Sequence, residues 1–210
     1  MSITLTYFDI QGKAEAIRLL FEDQGIKYDE EKVGANWPQK KQELISKGIA
    51  PFGQVPVVSI GDKHLSQTLA IMRYFDREQK LTETSDEKYY ADALADGVED
   101  WRTQYVRNVY QNTQEEFEKF CDEKFPHYVK IYEKFLSQSK YKPFFVTKQP
   151  TFADYLILDM ILLMQRVRKD VLKDAPLLTN FLETMTERKG IKEYLASDRK
   201  PKNANNVNRG

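Results

Sequence analysis

The chain has 210 residues, enough for one large domain or two small ones with a core each. Lys plus Arg and Asp plus Glu both number 32, a balance that argues against a dedicated binder of nucleic acid or of anionic membrane and favours a small molecule or a protein as partner. A single cysteine, Cys121, excludes an intramolecular disulfide, a thiol-based zinc cluster and a C-x-x-C redox pair, and the two distant histidines, His64 and His127, lack the neighbours of a metal site or a serine triad.

From Met1 the chain runs straight into strand-like sequence, without a charged then apolar leader, and no run approaches the ~20 apolar residues of a membrane span. The expectation is a soluble, cytoplasmic protein. Residues 2 to 7 alternate, Ile3, Leu5 and Tyr7 facing one way and Thr4 and Thr6 the other, which is the period of a half-buried strand. A helix follows Gly12, with Ala14, Ile17, Leu20 and Phe21 at helical spacing and Gly25 closing it. Residues 28–33 read as a strand, 37–46 as a short helix, 57–60 and 63–65 as a hairpin around Gly61-Asp62, and 67–79 as a closing helix. The order βαβ, α, ββα predicts a small α/β domain with a mixed sheet over residues 1–79.

Residues 80–88 are polar, without strand pattern, and read as a linker. Residues 89–210 then read as an all-α domain. Its helices are expected at 89 to about 113, 114 to about 137, 152 to about 168, 176–189 and 191–196. Thr151-Phe152-Ala153-Asp154 has the form of a capping box, hydroxyl at the cap and carboxylate three residues on. The helix behind it carries Leu156, Ile157, Met160 and Leu163 with few charges and should form the buried centre of the domain. The polar tail from Asp198 to Gly210 is expected to be loosely held.

Pro51-Phe52-Gly53-Gln54-Val55-Pro56-Val57-Val58 contains an anomaly: Pro56 has no amide hydrogen for a sheet ladder, yet it interrupts an apolar strand-like run. A trans proline opening an edge strand is one reading. The other is a cis Val55–Pro56 bond, the state of only about 5–6% of X-Pro bonds in folded proteins, which would present the backbone of Val55 to a peptide-like ligand. Gln67-Thr68, at the apparent start of a helix where amides and dipole attract a carboxylate, favours the second reading.

Taken in order, Tyr7-Phe8, Phe52-Gly53-Gln54-Val55-Pro56, Gln67-Thr68, Asp96-Gly97-Val98-Glu99-Asp100 and Phe152-Ala153-Asp154-Tyr155 resemble the cytosolic glutathione transferases over essentially the whole chain. Residues 35–75 look sigma-like and residues 96–110 and 175–178 look pi-like, so the chain is identified as pi-like with sigma features. The resemblance implies a thioredoxin-like N-terminal domain with a mixed four-stranded sheet that binds glutathione, and an all-α C-terminal domain carrying the hydrophobic substrate site. It further implies conjugation of the glutathione thiol to hydrophobic electrophiles, a detoxification reaction with glutathione as co-substrate and neither metal nor other cofactor, in a cytoplasmic homodimer. Two alternatives stand beside it, a sigma-type glutathione-dependent prostaglandin isomerase and a non-catalytic glutathione- or ligand-binding protein of the same fold.

By the same resemblance, Tyr7 donates its phenolic hydrogen bond to the sulfur and is the catalytic residue. Gln67 and Thr68 hold the γ-glutamyl end, the backbone of Val55 beside Pro56 pairs with the cysteinyl segment, Gln54 adds a polar contact, and Trp37 and Lys41 meet the glycine end. Asp100 reaches across a two-fold axis to the neighbouring subunit's ligand, and Phe52 is an interface key. Phe8, Ile10, Val106 and Tyr110 line the electrophile pocket. Two positions depart from the family pattern: Thr68 replaces serine, and Lys13, expected as a further glutathione contact, stands where related classes often carry arginine, whose planar fork a lysine does not reproduce.

Overall fold

A computed structural model describes residues 2–207. Strands β1 (Ile3–Phe8), β2 (Asp29–Val33), β3 (Val57–Ile60) and β4 (Lys63–Ser66) form one sheet in the order β2-β1-β3-β4. β1 runs parallel to β2 and antiparallel to β3, and β3 pairs antiparallel with β4 through the Gly61-Asp62 turn. The sheet is therefore mixed, because a helical crossover joins the first two strands and a tight hairpin the last two.

Alternation along the strands divides the apolar residues between two layers. Leu5, Tyr7 and Val58 belong to the main core with helices α1 (Glu15–Asp23) and α3 (Thr68–Glu78), whereas Val57 packs with Leu44 and Ala50 beneath helix α2 (Trp37–Ser46). The main core continues without a break into helices α4 (Ser85–Gln111), α5 (Gln114–Gln138), α6 (Phe152–Val167), α7 (Pro176–Glu187) and α8 (Lys189–Leu195). Helix α6 is its axis, buried at nearly every position from Phe152 to Met164. Asp154 accepts from the Thr151 amide at 2.8 Å and from its hydroxyl at 2.7 Å, so the capping box closes as the sequence predicts. The Phe152 amide also donates to Asp76 of α3 at 3.1 Å, and the Tyr155 hydroxyl donates to Asp23 at the end of α1 at 2.6 Å. Both bonds tie the sheet half to the helical half.

Two expectations need correction. The segment read as a linker up to residue 88 is helical from Ser85, four residues before the expected start at Tyr89. Thr84 and Glu87 form a capping box there, the Glu87 amide donating to the Thr84 hydroxyl oxygen at 3.2 Å and the Thr84 amide to the Glu87 carboxylate at 3.0 Å. This exposed turn carries no apolar periodicity, so only the cap betrays it. The tail, in turn, is not loosely held as far as residue 207: Pro201, Ala204 and Asn205 are buried, and the Gln11 and Gly12 amides donate to the carbonyls of Asn203 at 2.9 Å and Ala204 at 3.1 Å. Residues 208–210 of that segment lie outside the described residues.

Candidate active site

β1 delivers Tyr7 to the carboxyl edge of the sheet, where the chain turns back through Ile10, Gln11 and Gly12 into α1. The turn is fixed from below by the buried Arg18, which donates to the carbonyls of Ile10 at 3.1 Å and Gln11 at 3.3 Å and pairs with Glu30 at 2.6 Å. Gly12 adopts φ +46°, and a Cβ there would lie 2.4 Å from the Tyr7 hydroxyl oxygen. Only glycine leaves room for that hydroxyl.

The hydroxyl oxygen of Tyr7 accepts the Lys13 amide at 2.9 Å. With a lone pair thus engaged, its own hydrogen remains to be donated outward. Burial pushes the Tyr7 pKa above its ordinary 10, and the Lys13 amide, Arg102 and Arg18 pull more weakly the other way. Tyr7 is therefore a phenol at neutral pH, a donor and not a base.

Beside it opens a cleft of about 380 Å³ whose walls include Lys13, Trp37, Gln54, Val55, Gln67 and Thr68. The Val55–Pro56 peptide bond is cis. The ladder to β4 begins only at Val57, so the amide and carbonyl of Val55 lie outside its register. Gln67 holds φ +71° at the cap of α3 and its side chain does not cap the helix, donating instead to Gln54 at 3.2 Å. The first turn of α3 is therefore left without a side-chain cap, and Thr68 at its start lines the cleft, the kind of helix end at which a carboxylate binds. The Thr68 hydroxyl donates to the Lys13 carbonyl at 3.2 Å, which pins α3 to the Tyr7 turn and leaves the oxygen as an acceptor.

Other expected residues are distributed less simply. Lys41 sits behind Gly53, where a Cβ would meet its Cε at 2.8 Å, at the rim of the cleft rather than in the wall. Phe8, expected with the electrophile pocket, lies on the cleft side, edge-on to Trp37 at 5.3 Å. Lys13 does not mimic an arginine at the thiol position: its ammonium pairs with Glu99 at 2.5 Å. Asp100 is exposed and Glu99 is the carboxylate of that motif that borders the cleft of its own chain.

Ile10, Val106 and Tyr110 come together around a second chamber of about 170 Å³ that opens against Tyr7 and Lys13. Its remaining walls include Arg102 of α4 and Ala204 and Asn205 of the tail, none of them anticipated. The Asn206 amide donates to the Tyr110 hydroxyl at 3.2 Å. Asn-rich sequence carries no apolar signal for this docking, whereas Arg102 had one: with Val98, Tyr105 and Val109 it falls on the buried stripe of α4. Cys121 is buried and lines neither cavity, and burial pushes its thiol up to about 12, which keeps it protonated at neutral pH.

Comparison with known proteins agrees over more than nine-tenths of the chain. Residues 3–77 match the family described as glutathione S-transferase, N-terminal domain, and residues 99–198 the glutathione S-transferase, C-terminal domain. The chain is 37% identical over 201 residues to glutathione S-transferase P 1 of Xenopus laevis, covering 94% of this chain and 93% of the relative. It is 35% identical to glutathione S-transferase P of Bos taurus, covering 92% and 91% of the two. The solved pi-class glutathione S-transferase of Onchocerca volvulus superposes with a TM-score of 0.84 at 30% identity, covering 93% of this chain and 92% of that one.

Proposed function

The chain belongs to the glutathione S-transferase family and is a pi-like glutathione transferase, and from that premise we propose that the cleft holds glutathione with its sulfur on the Tyr7 hydroxyl. The observation that carries this reading is the hydroxyl itself, fixed by the Lys13 amide with its own hydrogen free for a thiolate. The α3 amides at Thr68, with Gln67, bind the γ-glutamyl carboxylate and amine, and the Val55 backbone pairs with the cysteinyl unit in the manner of an added strand. Gln54 supports Gln67, Trp37 walls the glycine end, and Lys41 at the rim supplies charge for its carboxylate. Lys13 contributes its amide to Tyr7 and its ammonium to Glu99.

A free thiol with pKa ~8.5 is only about 3% thiolate at pH 7. Lowering it by about two units raises that fraction roughly twenty-fold, at ~2.7 kcal/mol of differential stabilisation. Nucleophilicity falls as the thiol becomes more acidic, with a slope of about 0.4–0.5, which returns most of the gain. Orientation of an apolar electrophile in the chamber of Ile10, Val106 and Tyr110 therefore supplies much of the remaining rate, with Phe8 on the cleft side of the reacting sulfur. Conjugation forms the sulfur–carbon bond as the electrophile's leaving group departs with the bonding pair, and the thiol proton passes to solvent.

The protein acts as a cytoplasmic detoxifying homodimer in which Asp100 approaches the partner's ligand and Phe52 inserts into the partner. Exposure supports the last point: Phe52 is 65% exposed and free to meet a partner. The test is conjugation of glutathione to an activated aryl halide by the wild type and Tyr7→Phe. The variant should lose about 10²- to 10³-fold in kcat, as expected for one donor to a developing anion. Equal activity of the two proteins would remove Tyr7 from its role, and glutathione binding without conjugation by the wild type would remove the reaction.

A further inference from the structure

Arg102 reaches the Tyr7 turn from the helical half of the molecule, and its surroundings are built. Its Nη1 donates to the Gly12 carbonyl at 3.1 Å, and its Nη2 pairs with the Asp159 carboxylate of α6. Both side chains are only 6% exposed. Gly12 in turn abuts the Tyr7 hydroxyl, so guanidinium, peptide and phenol form one continuous contact. Lys13, the nearer cation in sequence, is a poor source of field at this point. It is neutralised by Glu99, and that pair is 41% and 29% exposed, so solvent and salt screen it. The Arg102–Asp159 pair lies in the low-dielectric interior, where a unit charge acts over a longer distance.

We propose that Arg102 is a positioning residue for the transferase reaction, holding the Gly12 turn against Tyr7 and supplying the positive field that stabilises the glutathione thiolate, with Asp159 on its far side as the opposing charge. The proposal rests on the reading that the thiol binds at the Tyr7 hydroxyl. Asp159 plays two parts: it holds the guanidinium in place, and it offsets part of its charge. The other charged or titratable groups facing the pair are Tyr7 itself, Arg18 and Glu15 of α1, Tyr105 and Tyr110 of α4, and Lys200 of the tail. Arg18 is committed to Glu15 and Glu30, and the two substitutions below leave that group unchanged.

A merely structural pair and a field-setting pair respond differently to neutralisation. In the full-length protein saturated with glutathione, the bound thiol is titrated by its thiolate ultraviolet absorbance, alongside the pH profile of kcat/KM with an aryl halide. Arg102→Gln should move the titration to higher pH by about one unit, a roughly ten-fold loss of thiolate on the rising limb. Asp159→Asn, which keeps the shape and one hydrogen-bond acceptor, should move it to lower pH, and Arg102→Lys, which keeps the charge but not the two-pronged contact, should move it by less than Arg102→Gln does. Should Arg102→Gln not fold, the downward shift in Asp159→Asn carries the test. Shifts of both neutralised variants in one direction, or no shift in Asp159→Asn while Tyr7→Phe raises the titration, overturn the role of Arg102. No shift in Tyr7→Phe overturns instead the placement of the thiol, and the proposal with it.

Discussion

Gly12→Ala is the most direct probe of how the turn makes Tyr7 a donor. The added Cβ would stand 2.4 Å from the hydroxyl oxygen and 2.9 Å from the ring Cε1, whereas ordinary contact begins near 3.4 Å. Phenol or turn must yield by about 1 Å, and a displacement of that size in a catalytic group is worth about a hundred-fold in rate. The shift also breaks the 2.9 Å bond from the Lys13 amide that orients the hydroxyl. In addition, alanine at φ +46° occupies the left-handed region at a cost of about 1–2 kcal/mol, or about 2–8 °C in Tm for a chain of this length. Steady-state kinetics with an aryl halide should show kcat down about a hundred-fold with KM for glutathione within about three-fold, because the cleft walls at Gln54, Val55, Gln67 and Thr68 are untouched. A folded Gly12→Ala protein with kcat within about two-fold of wild type would refute the reasoning, as would a change confined to KM.

Gly190→Ala, at the start of α8, would bring a Cβ within 2.0 Å of the Glu22 carbonyl oxygen of α1. Backbone on both sides leaves no side chain to give way, so a loss of about 3 kcal/mol, or about 6–12 °C in Tm, is expected in a thermal melt, with kcat/KM preserved at temperatures where the variant is folded. Burial pushes the Glu15 carboxyl up to about 7 against the opposing pull of Arg18. The folded protein then retains a proton that the unfolded chain releases near 4.5, so the stabilisation is complete below that pH and is lost as pH rises through about 7. Denaturant melts should show stability falling between about pH 4.5 and 7 by at most about 1.4 kcal/mol per unit from this group and levelling off above, and Glu15→Gln should flatten the decline. Ending the chain after Pro201 removes the carbonyls that receive the Gln11 and Gly12 amides and one wall of the electrophile chamber. A series of electrophiles of increasing size should then gain relative kcat/KM at the bulky end, and an unchanged ranking would show that the tail does not shape the pocket.

Much of this was readable along the chain, because the signals were local. Ile3, Leu5 and Tyr7 alternate as a strand must, Gly61-Asp62 turns a hairpin, and Thr151 with Asp154 caps a helix, all within a few residues. Proline in an apolar run marked the edge of the cleft, since only a position outside the ladder tolerates it, and the ladder begins at Val57. The Thr84–Glu87 cap was equally local and was obscured only by the polar turn that follows it.

Tertiary structure decided the rest. The environment of Tyr7 is assembled from a carbonyl held by an arginine 90 residues away, a tail that returns from beyond residue 200, and a glycine whose missing Cβ matters only because a phenol comes to lie there. Nor could sequence show that Lys13 would spend its charge on Glu99, or that Glu99 rather than Asp100 would border its own cleft. Composition and periodicity determine which face of an element is buried, since that follows from the preference of each side chain for water. Which buried charge meets which hydroxyl depends on how separate elements pack, and no short-range pattern encodes that.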